Sequence, residues 1–171
     1  MAANMQLIAN AHWVEAAIGE MAKSNKRAAN LFDKMKVYAA TDITGFGLAR
    51  HAMNLSKRVG AEGCILNLPD LPLLPGAAQL LSSGVRSSLH AQNREAVTIS
   101  SDMLDETTEL SARIEALFDP QTSGGLLGAI PRENAQNLVN RLNENGYDAA
   151  MIGCLDFING SVQLTDERFP D

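Results

Sequence analysis

Apolar residues recur at helical spacing over three stretches of the chain and at strand spacing over several short ones. Over Ile8–Met21, Trp13, Ala17 and Met21 form one stripe with Val14 and Ile18 beside it, which predicts a helix packed on a core. A second helix is predicted over Lys26–Lys36. Val37–Ala40 is a short apolar run that breaks into a polar, glycine-rich stretch, a strand entering a loop. The next helix has the clearest pattern. Leu48, Ala52, Leu55 and Val59 share a face, and Lys57 and Arg58 occupy the last turn before Gly60, where cations and a glycine stop are favoured.

Farther along, Glu62–Leu68 alternates as a strand, and Leu71–Gly76 carries too much proline for a regular interior element, so an extended connector is expected. Residues Gly84–Arg94 read as irregular. Ser100–Glu115 reads as an exposed acidic helix bearing Asp102, Asp105, Glu106 and Glu109. Leu126–Ile130 reads as a buried strand, and Arg132–Asn145 as a helix with Ala135, Leu138, Val139 and Leu142 on its buried stripe, stopped by Asn145-Gly146. Ala149–Phe157 and Ser161–Leu164, flanking Asn159-Gly160, read as a closing hairpin. Strands and helices alternate without repeats, so the class is α+β, a mixed β-sheet covered by helices in an α/β layering.

Composition narrows this picture. With 171 residues, 46% of them hydrophobic, the chain fits one compact domain, and a net charge of -6 removes the basic footprint that nucleic acid or an anionic membrane would require. No apolar run reaches the length of about 20 residues needed to cross a bilayer, and the first ten residues lack the pattern of a signal peptide, so a cytoplasmic protein is expected. Cys64 and Cys154 lie far apart without a Cys-x-x-Cys partner, which predicts two buried thiols and neither zinc nor a disulfide. His12, His51 and His90 have no metal-like spacing and are expected to serve packing or the surface.

Two glycine loops hold the candidate chemistry. In Thr41-Asp42-Ile43-Thr44-Gly45-Phe46-Gly47, glycines let the backbone approach an anion, and the helix that follows offers free N–H groups. Asp42, its one carboxylate, suits magnesium, which keeps several waters and binds through one or two protein oxygens together with phosphates. A second reading fits the same residues equally well: Asp42 or Thr44 caps the helix and the glycines serve the turn. Asp119-Pro120-Gln121-Thr122-Ser123-Gly124-Gly125 offers similar backbone donors, and here an ordinary connecting turn is the stronger reading from spacing. The acidic run Asp102–Glu109 lacks the ligand alternation and central glycine of a calcium loop. No Gly-x-Ser-x-Gly and no Gly-x-x-x-x-Gly-Lys-Ser/Thr occurs.

Taken in order, Thr41 to Leu48, then Leu73-Leu74-Pro75-Gly76, then Phe118-Asp119-Pro120-Gln121-Thr122-Ser123-Gly124-Gly125-Leu126-Leu127 resemble selenophosphate synthetases (selenide, water dikinases), from about Trp13 to about Leu155. That family belongs to the aminoimidazole-ribonucleotide-synthetase-related superfamily, in which an N-terminal, dimer-forming ATP domain precedes a C-terminal α/β domain. The resemblance covers only the C-terminal domain. It implies the AIR-synthase-related C-terminal fold, with residues 1–36 as lead-in helices and 37–171 as the α/β domain. It also implies ATP-dependent conversion of selenide and water to selenophosphate, AMP and phosphate, with Mg2+ as cofactor.

On the same footing, Asp42 matches the family's magnesium-ligand aspartate, and Thr41, Thr44, Gly45, Gly47, Gln121, Thr122, Ser123, Gly124 and Gly125 match phosphate-holding loops. The nucleophilic cysteine or selenocysteine and its lysine neighbour are expected in an N-terminal half. This stretch is therefore expected to be an excised piece, inactive alone and monomeric or weakly associated, whose partner is the ATP domain of a homodimeric enzyme. Ala49, Arg50 and Ala52 depart from the family's Leu-Leu-Gly-His-Leu continuation while His51 keeps its place, and Arg50 is expected to face solvent. Alternatives are a hydrogenase-maturation protein or a thiamine-phosphate kinase of the same superfamily, which Phe46 and the Pro120–Gly125 turn disfavour, and a non-catalytic binding or assembly module.

Overall fold

A computed structural model describes residues 1–100, 108–157 and 160–166. The elements in order are α1 (Ala2–Met5), α2 (Ala11–Ala22), α3 (Lys26–Lys34), β1 (Ala39–Asp42), α4 (Gly47–Arg58), β2 (Gly63–Asn67), α5 (Ala77–Ser82), α6 (His90–Glu95), β3 (Ile99–Ser100), α7 (Thr108–Ala116), β4 (Leu126–Ala129), α8 (Arg132–Glu144), β5 (Gly153–Asp156) and β6 (Val162–Thr165). The class is α+β, as the alternation of patterns implied.

The strands form two sheets rather than one. β1 and β4 pair antiparallel as a two-stranded ribbon, and the other four stand in the order β3-β6-β2-β5. There β2 runs antiparallel to β5 and parallel to β6, and β3 is parallel to β6. Helix α4 packs against strands of both sheets, β1 and β4 on one side and β2 and β6 on the other. Its buried face, Leu48, Ala49, Ala52, Leu55 and Ser56, follows the predicted stripe. Leu48, Ala49 and Ala52 join Leu66, Leu68, Leu117, Phe118 and Val162 in the main core. A second cluster joins Ala28, Leu31 and Phe32 of α3 to Leu138 and Leu142 of α8. A fully buried leucine contributes about 1.5–3 kcal/mol, and α4 buries Leu48 and Leu55 while touching both sheets.

Several expectations change. The strand expected over Val37–Ala40 lies at Ala39–Asp42, because α3 ends in a tight turn in which Val37 N–H reaches back to Phe32 O at 3.2 Å and Lys36 sits at φ 57. Pairing starts only where Tyr38 N–H meets Ala129 O at 2.8 Å, so Thr41 and Asp42 belong to the strand. The closing hairpin does not form, since β2 stands between β5 and β6. β2, with four of its five residues buried, takes the interior position that an apolar strand favours. Asn159, assigned to that turn, lies outside the described residues, as do Asp102, Asp105 and Glu106 of the acidic run; Glu109 is exposed on α7.

Helix α2 forms where predicted but buries no residue; Trp13, Val14, Ala17 and Met21 are half-buried and Ile18 is exposed. Asn10 caps it through His12 N–H at 2.9 Å. The segment read as irregular contains α6, and α5 was not predicted. Of the thiols only Cys64 is buried, and Cys154 is exposed. Cys64 stands opposite Leu155 and Cys154 opposite Ile65, so the alternation of side chains along a strand sends the two sulfurs to opposite faces. No helix among the described residues is long and apolar enough to cross a membrane.

Candidate functional site

Antiparallel pairing brings the end of β1 to the start of β4, with Asp42 opposite Leu126. The loop leaving β1 and the loop entering β4 therefore meet at one edge, although nearly 80 residues separate them in the chain. The ladder continues past the strands: Ile43 N–H donates to Gly125 O at 3.0 Å, and Gln121 N–H donates to Thr44 O at 3.1 Å. Gly124 has no room for a side chain, because a Cβ there would run into the carbonyl oxygen of Ile43. Asn25, ahead of α3, donates to Gly124 O at 3.0 Å. The two glycine loops are thus one continuous surface.

The first loop is pinned from beneath. Gly47 opens α4 at φ +76, and a Cβ on it would lie 2.7 Å from Leu117 O and 2.9 Å from Phe118 Cα, so both conformation and space demand glycine. Ala49 N–H donates to Leu117 O at 3.0 Å. Asn93, 5% exposed, donates through Nδ2 to Gly45 O at 2.9 Å and Phe118 O at 3.0 Å, tying the first loop to the lead-in of the second. Below it, Glu115 receives Arg86 at 3.0 Å and Arg94 at 2.8 Å, and the buried His90 ring lies 3.2 Å from the same carboxylate. His90 also meets Phe118 edge-on, with centroids 5.9 Å apart.

Of the predicted residues, Asp42 is exposed at the end of β1 and Thr41 half-buried beside it, its hydroxyl 3.1 Å from Asp42 O. Thr44 directs both its N–H and its Oγ1 to His51 Nε2, each at 3.1 Å. Thr122, Ser123 and Gly125 are exposed, and Gln121 and Gly124 are half-buried. Among the described residues no hydrogen bond engages the main-chain N–H of Gly45, Phe46, Thr122, Ser123, Gly124 or Gly125. These amides and the Asp42 carboxylate share one rim: donors for an anion beside one ligand for a cation. No cluster of three potential metal ligands occurs among the described residues, and within the first glycine loop the one carboxylate is that of Asp42. That is a donor set compatible with magnesium held mainly by water and phosphate.

Arg50, expected in solvent, stands over the exposed Phe46 ring at 5.5 Å from its centroid. Burial pushes the pKa of Asp119 up, with the N-terminal ammonium, His90 and Arg86 working against it. Burial also lifts the Cys64 thiol to about 11 and raises that of Cys154, so neither is an activated nucleophile. His51 and His90, expected only to serve packing or the surface, and Asn93, which no pattern marks, support the edge through hydrogen bonds to Thr44, Glu115 and Gly45. His51 was detectable in principle. Side chains lean toward a helix N-terminus, so a residue one turn inside α4 reaches back over the loop before it.

Comparison with known proteins follows the same line. Residues 14–156 match the family described as AIR synthase related protein, C-terminal domain. Selenide, water dikinase 2 of Peptoclostridium acidaminophilum is 36% identical over 132 residues, which are 77% of this chain and 37% of that protein. The selenide, water dikinase of Porphyromonas gingivalis is 36% identical over 156 residues, 90% of this chain and 43% of the relative. That of Desulfitobacterium hafniense strain DCB-2 is 33% identical over 153 residues, 90% and 44% respectively. The chain spans less than half the length of these curated relatives.

Proposed function

The chain belongs to the AIR synthase related proteins, whose C-terminal domain it matches over most of its length, and on that premise we propose that it is the C-terminal part of a selenide, water dikinase. It acts with an N-terminal ATP domain to convert ATP, selenide and water into selenophosphate, AMP and phosphate. The observation that carries this reading is the single edge at which the Asp42 carboxylate adjoins two loops with unengaged amides. Phosphoryl transfer depends on positioning and charge stabilisation more than on covalent help, and an edge of this kind supplies both.

In this reading Asp42 is one ligand of Mg2+, the others coming from the nucleotide, water and the N-terminal domain. The ion, when bound, neutralises and orients phosphate charge. Gly45 and the Thr122–Gly125 amides hold phosphate oxygens, with Gln121 as the hinge between the loops and Gly47 and Thr41 shaping the rim. Thr44 serves this edge through its place in the loop, its N–H and hydroxyl being taken by His51. Residues 1–36 lead into the domain at 37–171: α2 buries nothing, while α3 already belongs to the core. The complete enzyme is a cytoplasmic homodimer whose dimer contact lies in the other half, and the 171-residue chain alone is inactive and monomeric or weakly associated.

Selenide-dependent ATP consumption is measured for this chain alone, for the chain joined to an N-terminal ATP domain of a relative, and for the joined protein carrying Asp42→Asn. Activity in the joined protein only, reduced about a hundredfold or more by the substitution with folding retained, is expected, a loss of the size seen when one stabilising contact to transition-state charge is removed. Undiminished activity in Asp42→Asn, or none in the joined protein, overturns the reading.

A further inference from the structure

Helix α4 has an unusual start. Phe46 stands at its N-cap and makes no side-chain cap bond, where serine, threonine, aspartate or asparagine would ordinarily serve. His51 does a related task from inside the helix. Its Nε2 lies 3.1 Å from Thr44 N and 3.1 Å from Thr44 Oγ1. A main-chain amide can only donate, so Nε2 must present its lone pair, and the proton of the neutral ring sits on Nδ1. Thr44 is held at its other end too, where its carbonyl accepts from Gln121 N–H at 3.1 Å and from Gly47 N–H at 3.1 Å.

We propose that His51 is a positioning residue for the Asp42 edge: as the Nδ1–H tautomer it clamps the Thr44 amide, fixing the loop between Asp42 and α4 beside the second glycine loop. It touches neither substrate nor metal; it acts through Thr44, two residues beyond Asp42. The role of that edge in catalysis rests on the reading given above, whereas the clamp itself does not. Its surroundings favour the neutral ring: burial lowers the pKa, and Arg50 opposes a positive charge there while the carboxylate of Asp42 favours one. The exposed Phe46 ring lies beside it, 6.2 Å away centroid to centroid. A further consequence is division of labour. With the Thr44 N–H occupied, an anion at this edge is met by the amides of Gly45 and of Thr122–Gly125.

Two variants separate the clamp from simple packing. His51→Gln places an acceptor oxygen near the position of Nε2, and His51→Ala removes it. In the 171-residue chain, nitrogen NMR of the imidazole at neutral pH is expected to show a neutral ring protonated at Nδ1. Hydrogen exchange at the Thr44 amide should be about tenfold faster in His51→Ala, and near the parent rate in His51→Gln, as loss and recovery of one hydrogen bond predict. An Nε2–H ring, or a Thr44 amide indifferent to both variants, overturns the proposal. In the protein joined to an ATP domain, His51→Ala should lower kcat by about tenfold with KM for ATP nearly unchanged, and His51→Gln should recover most of it. Equal losses in the two variants, accompanied by equal drops in melting temperature, mean packing alone and overturn it as well. If the joined parent protein shows no selenide-dependent turnover, the dikinase reading falls, and the ring and exchange measurements still decide the clamp.

Discussion

The two glycine loops lie side by side and are held to different degrees. The first, between β1 and α4, has a glycine with no space around it, a threonine bonded at N–H, carbonyl and hydroxyl, and a buried asparagine beneath it. The second, before β4, rests on the first through two main-chain bonds and the close fit of Gly124 against Ile43 O, is held by Asn25 at Gly124 O, and turns Thr122, Ser123 and Gly125 outward. The lesson is that similar runs of small and polar residues serve a rigid frame in one place and an open set of donors in the other. Composition does not separate the two; long-range packing does.

Substitutions should expose this asymmetry. Phe118→Ala, at the buried start of the second loop and 1% exposed, should destabilise most, by about 3–5 kcal/mol, measured by urea unfolding. Gly47→Ala should cost about 2–4 kcal/mol, because it adds left-handed backbone strain to a collision with Leu117 and Phe118. If it is tolerated without loss, the first loop is not the rigid one. Asn93→Ala frees Gly45 O and Phe118 O together, and a cost of about 1–3 kcal/mol is expected.

Asp119 supplies a test by pH. Burial raises its folded pKa above the unfolded value, so between the two the folded state holds the proton more tightly, and stability falls as pH rises through that window. The Asp119→Asn protein should lack this slope and melt higher than the parent at neutral pH; an unchanged slope would place the effect elsewhere. Smallest of all, Gly125→Ala meets no atom within 4 Å and occupies no left-handed conformation, so its stability should stay within about 0.5 kcal/mol.

Much of this edge was legible in the sequence, and what was not has identifiable causes. The helix over 47–58 and the strand over 63–67 follow from their own spacing, and so does the buried stripe of α8. That the loops are loops follows from their glycines. That they touch depends on β1 pairing with β4, a contact between distant parts of the chain with no local signature. Asn93 sits on a short helix without periodicity, so nothing marked it. The end of the chain was misjudged because Asn159-Gly160 favours a hairpin locally while β2 gains more by separating β5 from β6. Helix α2 shows the remaining limit, since an apolar stripe predicts the helix but not what covers it.

The central place of β2 carries a consequence for the order of events during synthesis. Its neighbours, Gly153–Asp156 and Val162–Thr165, emerge from the ribosome long after Gly63–Asn67. Until then the most buried of the described strands has neither hydrogen-bonding partner, and the main core has no Val162 or Leu164 to close it. Such non-local pairing makes folding slow and leaves an uncovered strand to attract other chains. A chaperone that shields residues 63–67 during translation should therefore raise the soluble yield far more than one that acts after release.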